Sequence, residues 1–440
     1  MRNIFDQYQG HENRLTHALV TCLDRDRRLL GQFLQKWVKT LPLRGKKQVR
    51  IIEQRWPDGV EAPEKVDEEE DEKKGIPDAC IYVPDEWALL IESKAAGTVS
   101  MQQLARHRET ARRRMGLKDD DIHMLAIAVK IKTGRTRYSG TPPTHFLEWR
   151  SLYSWLTEPN IRHSLWARGL VEYMEVAERR MIDEKKPLEG AMTQFSGIHF
   201  GDDQPYDYKE AKRLLNLAMA GLRENKNLLQ EMKIDRSPDG GRKMGRKKIT
   251  GKQGSAVWDL VYLKGFRNGK HTSFPHLTLA IRRDDVVVVA IIPNGIKGEL
   301  KRALLRRGKE HFEQMLLRID QDMRARLRHF KKDDILGIQG PWVEVHQRHF
   351  LKRQKAVEDA ILRFSIGTAR KGGRGATKGQ TQWLHAAYEV LSKKKSNIEF
   401  RIGATFPYRE CPIVETPRIL EAVAGVWIAT KPLFDALRSR

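Results

Sequence analysis

The stretch GIPDACIYVPDEWALLIESKAAG, residues 75–97, places charged side chains inside two runs that otherwise look buried. DACIYV and WALLIESKA are rich in aliphatic, β-branched and aromatic residues, and the tripeptide PDE between them, residues 84–86, is typical of a turn. The stretch therefore predicts a β-hairpin. Asp78 opens its first strand and Glu92 lies near the end of its second, so the chain reversal brings both carboxylates to the same end of the sheet.

Glu92 and Lys94 are two residues apart, so on a strand both side chains point to one face. Carboxylates in a half-buried sheet are costly unless a partner such as a divalent cation is present. Two carboxylates and an ammonium around one point suit metal-dependent hydrolysis of a phosphodiester bond. The alternative is an edge hairpin in which Glu92 and Lys94 form a solvent-facing ion pair and Asp78 is only a turn residue. The joint placement of all three favours a site.

Patterns on both sides of the hairpin predict a compact α/β domain that ends near residue 160. The apolar spacing of residues 11–38 indicates one or two amphipathic helices, and QVRIIEQRW, residues 48–56, indicates a strand. After the hairpin, helix periodicity over 100–114 is followed by the strand-like IHMLAIAV, residues 122–129, and by HFLEWRSLYSWL, which leads into a helix. The acidic run EAPEKVDEEEDEKK, residues 61–74, is expected to be a loop.

Pro77-Asp78 followed by Glu92-Ser93-Lys94 resembles the signature of the PD-(D/E)xK nuclease superfamily. The predicted element order of the first 160 residues is similar to the core of that fold. The resemblance implies a restriction-endonuclease-like mixed sheet flanked by helices. It also implies that Asp78, Glu92 and the main-chain carbonyl of Ser93 bind Mg²⁺ or Mn²⁺, and that Lys94 serves the attacking water.

The resemblance implies two further site residues on helices. An acid on a helix before the sheet often completes such sites, and Glu12 matches that place; alternatively, its carboxylate is only favoured by the helix dipole. A glutamine on the helix after the hairpin occurs in several branches, and we expect Gln103 rather than Gln102 to fill this role, unless it is a solvated helix position. In one branch of the superfamily this glutamine is followed four residues later by a tyrosine. In this chain that position is His107, which departs from the branch pattern.

The rest of the chain predicts a connector and a third domain. Residues 161–250 look largely helical and include part of the basic, glycine-rich segment 236–254. Residues 251–440 predict a separate C-terminal α/β domain with strands in AVWDLVYLKGF, HLTLAIRR, DVVVVAIIP and IEFRIGATF, a long basic helix over 297–330 and a closing helix. We expect this domain to bind nucleic acid, a protein partner or a regulatory ligand.

The charge of the chain points to a polyanionic partner. Its 440 residues include 81 Lys and Arg against 57 Asp and Glu, a net charge of +24, and such a potential attracts nucleic acid. Two clusters combine glycines with cations, and each could track a phosphate backbone or be a solvated loop; they comprise Arg242, Lys243, Arg246, Lys247, Lys248 and Lys252, and Arg370, Lys371, Arg374 and Lys378.

Cysteine usage and hydropathy predict a cytoplasmic protein without a membrane segment. The three cysteines lie far apart and form no CxxC pair, which argues against a disulfide framework and a zinc knuckle. The N-terminus has no apolar signal-peptide core. The longest apolar run, VVVVAIIP, is too short to span a bilayer.

The sequence as a whole predicts a Mg²⁺- or Mn²⁺-dependent phosphodiesterase that acts on nucleic acid, with DNA favoured over RNA and the choice between them left open. Such domains joined to other modules occur in bacterial phage defence and restriction, and repair nucleases share the same core, so the resemblance alone supplies this context. One alternative is a non-catalytic nucleic-acid-binding protein on a nuclease-like scaffold. Another is an adaptor whose basic helix contacts an acidic protein. Self-association through the C-terminal region stays open.

Overall fold

The structure is a computed structural model that divides into two compact units. The first comprises residues 1–194 and 243–247, and the second comprises 195–242 and 248–440. The residues that the structure describes are 5, 10–39, 48–57, 76–96, 99–131, 144–184, 190–201, 204–235, 249–250, 256–266, 274–293, 298–349, 357–366, 381–393 and 398–438. The acidic run 61–74 and both glycine-cation clusters lie outside them.

The first unit alternates helices with the strands of one sheet. Its elements are α1 His11–Arg25, α2 Arg27–Trp37, β1 Arg50–Glu53, β2 Ala79–Val83, β3 Trp87–Lys94, α3 Met101–Met115, a 3₁₀ turn Asp119–Asp121, β4 Ile122–Ala128, β5 Thr144–Glu148, α4 Trp149–Leu156 and α5 Leu165–Asp183.

The sheet of the first unit is mixed and has the order β1-β2-β3-β4-β5. The predicted hairpin is present: β2 and β3 pair antiparallel, with Ala79 opposite Ile91 and Val83 opposite Trp87. β1 pairs antiparallel with β2, whereas β3-β4 and β4-β5 are parallel. Strand β5 was not predicted, because its five residues lead directly into the helical pattern of the residues that follow.

Both faces of this sheet are buried. Leu89 and Ile91 on β3 belong to the core under α1, α2, α4 and α5, while Leu90 belongs to the core under α3. A strand covered on both faces reads as a continuous apolar run, which explains the pattern WALLI. Any charged side chain at the end of β3 must therefore find partners on helices from one face or the other.

The segment that we expected to be a connector, 161–250, is divided between the two units. Helix α5 packs with α1 in the first unit, where Leu170, Tyr173 and Met174 are buried. Helix α6, Tyr208–Glu224, packs in the core of the second unit through Leu214 and Leu215. Each helix has an apolar stripe that is buried against a different sheet, so neither is free to act as a linker.

The second unit is built on an antiparallel sheet with the order β11-β10-β12-β9-β8-β7-β6. Its further elements are a π-helix Leu228–Met232, β6 Ile249–Thr250, β7 Ala256–Tyr262, β8 His276–Arg282, β9 Asp285–Ile292, α7 Gly298–Leu305, α8 Gly308–Leu327, a 3₁₀ turn Asp333–Ile335, β10 Gln339–His349, β11 Val357–Ser365, α9 Thr381–Lys393, β12 Ile398–Pro407, a 3₁₀ turn Pro412–Glu415, α10 Ile419–Ala429 and α11 Lys431–Arg438.

Two sequence expectations for this unit need correction. The long helix expected over 297–330 is interrupted, because Gly308 has a φ of 82°, a backbone conformation that glycine adopts readily and that ends α7 before α8 begins. Strands β10 and β11 were not predicted. The chain as a whole combines helices with a mixed sheet in one unit and an antiparallel sheet in the other, which fits an α+β class.

The three cysteines of the chain are unreactive thiols at neutral pH. Cys22, Cys80 and Cys411 are buried free thiols, and burial raises the pKa of Cys22 and of Cys411 to about 12. These thiols stay protonated at neutral pH.

Across the described ranges, no helix has the length and apolar character needed to cross a bilayer.

Candidate active site

The predicted site residues meet where β2 begins and β3 ends. Asp78 immediately precedes β2, Glu92 and Lys94 are the last charged residues of β3, and Glu12 and Gln103 lie in the first turns of α1 and α3. The hairpin sets the positions of Asp78, Glu92 and Lys94, and the two helices approach from opposite faces of the sheet. The structure therefore brings together side chains that are up to 91 residues apart, from 12 to 103.

The side chain of Asp78 continues the pairing of β2 with β3 beyond its last backbone pair. The ladder ends at Ala79 and Ile91, and one step further the Asp78 side chain accepts the Ser93 main-chain N–H through Oδ2 at 2.7 Å. In a strand the N–H and C=O groups of one residue point to the same side. We therefore expect the Ser93 carbonyl oxygen to face the side on which Asp78 lies.

Glu92 is buried, with an exposed fraction of 1%, and accepts three hydrogen bonds. Lys94 Nζ and Gln103 Nε2 each lie 2.7 Å from Oε1, and His107 Nε2 lies 3.1 Å from Oε2. A carboxylate has about four acceptor positions, so these donors leave roughly one position on Glu92. Gln103 is therefore in contact with the site, while Gln102 is exposed.

Glu12 reaches the same point from the other face. Its Oε1 accepts the N–H groups of Ala95 and Ala96 at 3.2 and 3.3 Å, and its Oε2 lies 3.5 Å from Lys94 Nζ. Helix α1 is fixed on the strand by a buried hydrogen bond of 2.6 Å between the hydroxyls of Thr16 and Ser93. Glu12 thus does more than favour a helix start, because it holds the chain just beyond β3 and the ammonium of Lys94.

His107 is the contact that sequence reasoning did not assign. Its side chain is fully buried and donates to Glu92 from one turn beyond Gln103 on α3. Residues four apart on a helix lie on one face, so the spacing from Gln103 was a usable signal. In the nuclease pattern His107 occupies the position that is tyrosine in one branch, and the pattern itself assigns it no role.

The charges of the site shift the ionisation of its members in different directions. Burial and the neighbouring Glu92 carboxylate raise the pKa of Asp78 to about 6. Burial also acts to raise the pKa of Glu92, but hydrogen bonds from His107 and Lys94 outweigh it and the pKa is lowered. Burial acts to lower the pKa of Lys94, yet the hydrogen bond and charge of Glu92 and the charge of Glu12 outweigh it and raise the pKa. Lys94 is therefore an ammonium at neutral pH.

The donor set fits a hard divalent cation that keeps much of its water. Among the described residues, three carboxylates surround the permanent cation Lys94, and the charge of Glu92 destabilises that of Asp78. Within the described ranges, no three or more Asp, Glu, His or Cys side chains are grouped closely enough to hold a metal by themselves. Mg²⁺ needs only one or two carboxylates and retains several waters. Asp78, the remaining position on Glu92 and the Ser93 carbonyl could supply such a site.

Three comparisons, with protein-family models, with curated proteins and with solved structures, gave no match to this chain.

Proposed function

We propose that the first unit is a Mg²⁺- or Mn²⁺-dependent nuclease that hydrolyses phosphodiester bonds of nucleic acid, with DNA the favoured substrate. The observation that carries the proposal is the convergence of Asp78, Glu92 and Lys94 at one end of the hairpin, where burial and the charge of Glu92 raise the pKa of Asp78. An excess of negative charge in a partly buried site favours a bound cation. The resemblance of Pro77-Asp78 and Glu92-Ser93-Lys94 to the PD-(D/E)xK signature and the net charge of +24 support the same proposal.

The roles of the residues follow from their contacts. Asp78, Glu92 and the Ser93 carbonyl would hold the ion, which when bound polarises the phosphate and lowers the pKa of a water. Lys94, kept protonated by Glu92 and Glu12, orients the attacking water and stabilises the negative charge that develops on the phosphate.

Gln103 and His107 act through Glu92 and are positioning residues. They occupy one acceptor position on each oxygen of Glu92 and so fix its rotamer. Glu12 holds Lys94 from the opposite face. A site fixed from both faces loses little of its geometry when a substrate binds.

A cleavage screen tests the proposal. Purified protein is incubated with single- and double-stranded DNA and RNA in Mg²⁺, in Mn²⁺ or in EDTA, beside Asp78→Asn, which keeps the size of the side chain and an oxygen that can accept the Ser93 N–H. We expect metal-dependent cleavage by the wild type and none by the variant, with binding retained. Cleavage of no substrate in either metal, or equal cleavage by both proteins, contradicts the proposal.

The number of strands cut is a further readout. One site hydrolyses one strand, so a double-strand break needs two copies of the chain or two successive events. Supercoiled plasmid separates these cases, because independent events accumulate nicked circles before linear DNA forms. A concentration-dependent shift to direct linear product would indicate that two copies act together.

One observation favours a non-catalytic alternative, a nucleic-acid-binding protein on a nuclease-like scaffold. Glu92 already accepts hydrogen bonds from Lys94, Gln103 and His107, so its burial is satisfied without a metal. On this alternative, nucleic acid binds equally well in EDTA and in Mg²⁺, and neither metal raises the thermal unfolding midpoint. A rise of the midpoint in Mg²⁺ that is lost in Asp78→Asn excludes it.

A further inference from the structure

A groove in the second unit runs along helix α8. It has a volume of about 760 Å³ and is lined by α8, by the residues after α7 and by α11. Helix α8 turns its apolar residues Phe312, Leu316 and Ile319 into the core, which leaves its polar face to form the floor of the groove. This surface belongs to the second unit alone and contains none of the proposed catalytic residues.

The groove carries more positive than negative charge, and the charges are unevenly distributed. At one end Arg326 is neutralised by Glu231 and Asp322, at 2.8 and 3.1 Å. Elsewhere Arg307, Arg318 and Lys431 are exposed and form no ion pair within the described residues. The charged lining residues are Arg306, Arg307, Arg318, Arg326 and Lys431 against Glu231, Asp322 and Asp435.

The spacing of these cations suits an extended polyanion. Arg307 immediately precedes α8 and Arg318 lies on it 11 residues further along the chain, a distance of about 16 Å at 1.5 Å per residue, and Lys431 lies on the other wall. Phosphates follow one another at about 3.4 Å of axial rise along one strand of a duplex, so the two arginines span roughly five of them. A single phosphate group is too small to bridge such a distance.

We propose that this groove binds the phosphodiester backbone of nucleic acid, with Arg307, Arg318 and Lys431 as phosphate contacts. Arginine presents a planar fork of donors that matches phosphate oxygens. Contacts of this kind position the polymer without reading its sequence. The inference deepens the proposed function, because it assigns to the second unit the task of holding the polymer that the first unit would cut.

The test measures binding without cleavage. Fluorescence anisotropy with labelled single- and double-stranded DNA in EDTA, over a series of salt concentrations, compares wild type with Arg307→Ala/Lys431→Ala/Arg318→Ala. A charge-matched control is Arg328→Ala/Lys331→Ala/Lys332→Ala, since these three exposed cations lie outside the groove on the same unit. All substitutions remove exposed side chains, and thermal unfolding midpoints check that the folds persist.

We expect the groove variant to bind at least about tenfold more weakly. The slope of log K against log salt should fall in magnitude by about 2 to 3, since each lost phosphate contact contributes about 0.7–0.9. The control should change the slope by less than about 1. Equal losses in the two variants, an unchanged slope in the groove variant, or more effective competition by polyglutamate than by unlabelled DNA would overturn the proposal. Because EDTA prevents metal-dependent cleavage, these outcomes do not depend on whether the first unit is a nuclease.

Discussion

The two sheets of this protein both carry charged side chains among buried ones, but they balance those charges differently. At the end of β3 in the first unit, the carboxylates of Glu12, Asp78 and Glu92 share one permanent cation, Lys94. On β10 in the second unit, Glu344 is matched by cations from both neighbouring strands. Among the residues that the structure describes, the first arrangement has more negative than positive charge, whereas the second is balanced by its own arginines.

The cluster on β10 is a set of cross-strand pairs. Glu344 lies opposite Arg363 on β11 and Arg401 on β12, with nitrogen–oxygen distances of 3.1 and 3.6 Å. His346 Nε2 lies 2.7 Å from the same carboxylate, and Arg401 also pairs with Glu399. Two carboxylates therefore meet two guanidinium groups, which is how an antiparallel sheet stabilises charges on one face.

The ionisation of the two acids differs accordingly. Burial acts to raise the pKa of Glu344, but the hydrogen bond from His346 and the charges of Arg363 and Arg401 outweigh it and lower the pKa. The pKa of Asp78 is raised to about 6, because burial and the charge of Glu92 outweigh the hydrogen bond from Ser93 and the charge of Lys94. A buried carboxylate whose charge the fold does not stabilise marks a functional site more reliably than a buried carboxylate as such.

The largest expected difference between the regions is in cleavage. Asp78→Asn and Lys94→Ala should each lower the rate of DNA cleavage by at least about 10²-fold, because each removes a group that would act directly on the metal or the developing charge. Glu344→Gln, a matched removal of one charge, should leave the rate of the folded protein within a few fold. Initial rates at saturating Mg²⁺ measure this. Comparable losses of cleavage rate from Glu344→Gln and Asp78→Asn would mean that the two clusters do not differ in their role in cleavage.

The same two acid-to-amide substitutions should change stability in opposite directions. Without metal at neutral pH, Asp78→Asn should raise the free energy of unfolding of the first unit by about 3 kcal/mol, because the pKa of Asp78 is raised by about two units and each unit corresponds to about 1.4 kcal/mol. Glu344→Gln should lower that of the second unit by about 1–3 kcal/mol, since it weakens the contacts of this side chain with buried His346 and with Arg363 and Arg401. Hydrogen exchange of peptides from β2, β3, β10 and β12 reports on each unit separately.

The pH dependence of this effect has a defined sign. Folded Asp78 binds its proton up to about pH 6, whereas in the unfolded chain it releases the proton near pH 4. The folded state therefore binds more protons between these values, so the stability of the first unit falls as pH rises through this window. The advantage of Asp78→Asn should be absent below about pH 4 and reach its full size above about pH 6. An advantage that grows as pH falls would contradict the raised pKa.

His107 gives a smaller effect that separates positioning from packing. His107→Phe removes the donor to Glu92 and should weaken Mg²⁺ affinity or activity about 10–100-fold, the usual consequence of losing a group that orients a metal ligand. His107→Gln keeps an amide donor and should retain most of the affinity. The Mg²⁺ concentration at half-maximal rate measures both. If the phenylalanine variant keeps the wild-type Mg²⁺ affinity and activity, His107 serves packing alone.

The candidate site was more predictable from the sequence than the second unit, for a physical reason. The turn PDE and the strand patterns around it are local, so they fix the register that brings Asp78 to Glu92 and Ser93. The contacts of Glu12 and Gln103 depend on how helices dock on the sheet, and only a resemblance suggested them. His107 was not assigned, because its role depends on the register of α3 against β3.

Strand β10 shows where local patterns fail. Its segment WVEVHQ alternates apolar residues with Glu344 and His346, and these polar residues are stabilised by Arg363 and Arg401 from strands distant in the sequence. Neither propensity nor hydropathy contains that information. The division of 161–250 between two units was unpredictable in the same sense, because α5 and α6 have similar amphipathic patterns and differ only in the core against which each packs.

The smallest expected effect comes from the far end of the same hairpin. Asp85 lies in the turn between β2 and β3, is exposed and has a φ of 61°, a conformation that Asn adopts as readily as Asp. It lies seven positions after Asp78 in the sequence, and the five residues of β2 between them hold the two carboxylates about 16 Å or more apart. Asp85→Asn makes the chemical change of Asp78→Asn at an exposed acid. We expect the free energy of unfolding to change by less than about 0.5 kcal/mol and the rate of cleavage to stay within twofold. A loss of activity like that of Asp78→Asn would mean that net charge on the hairpin, rather than the geometry at the end of β3, determines the function.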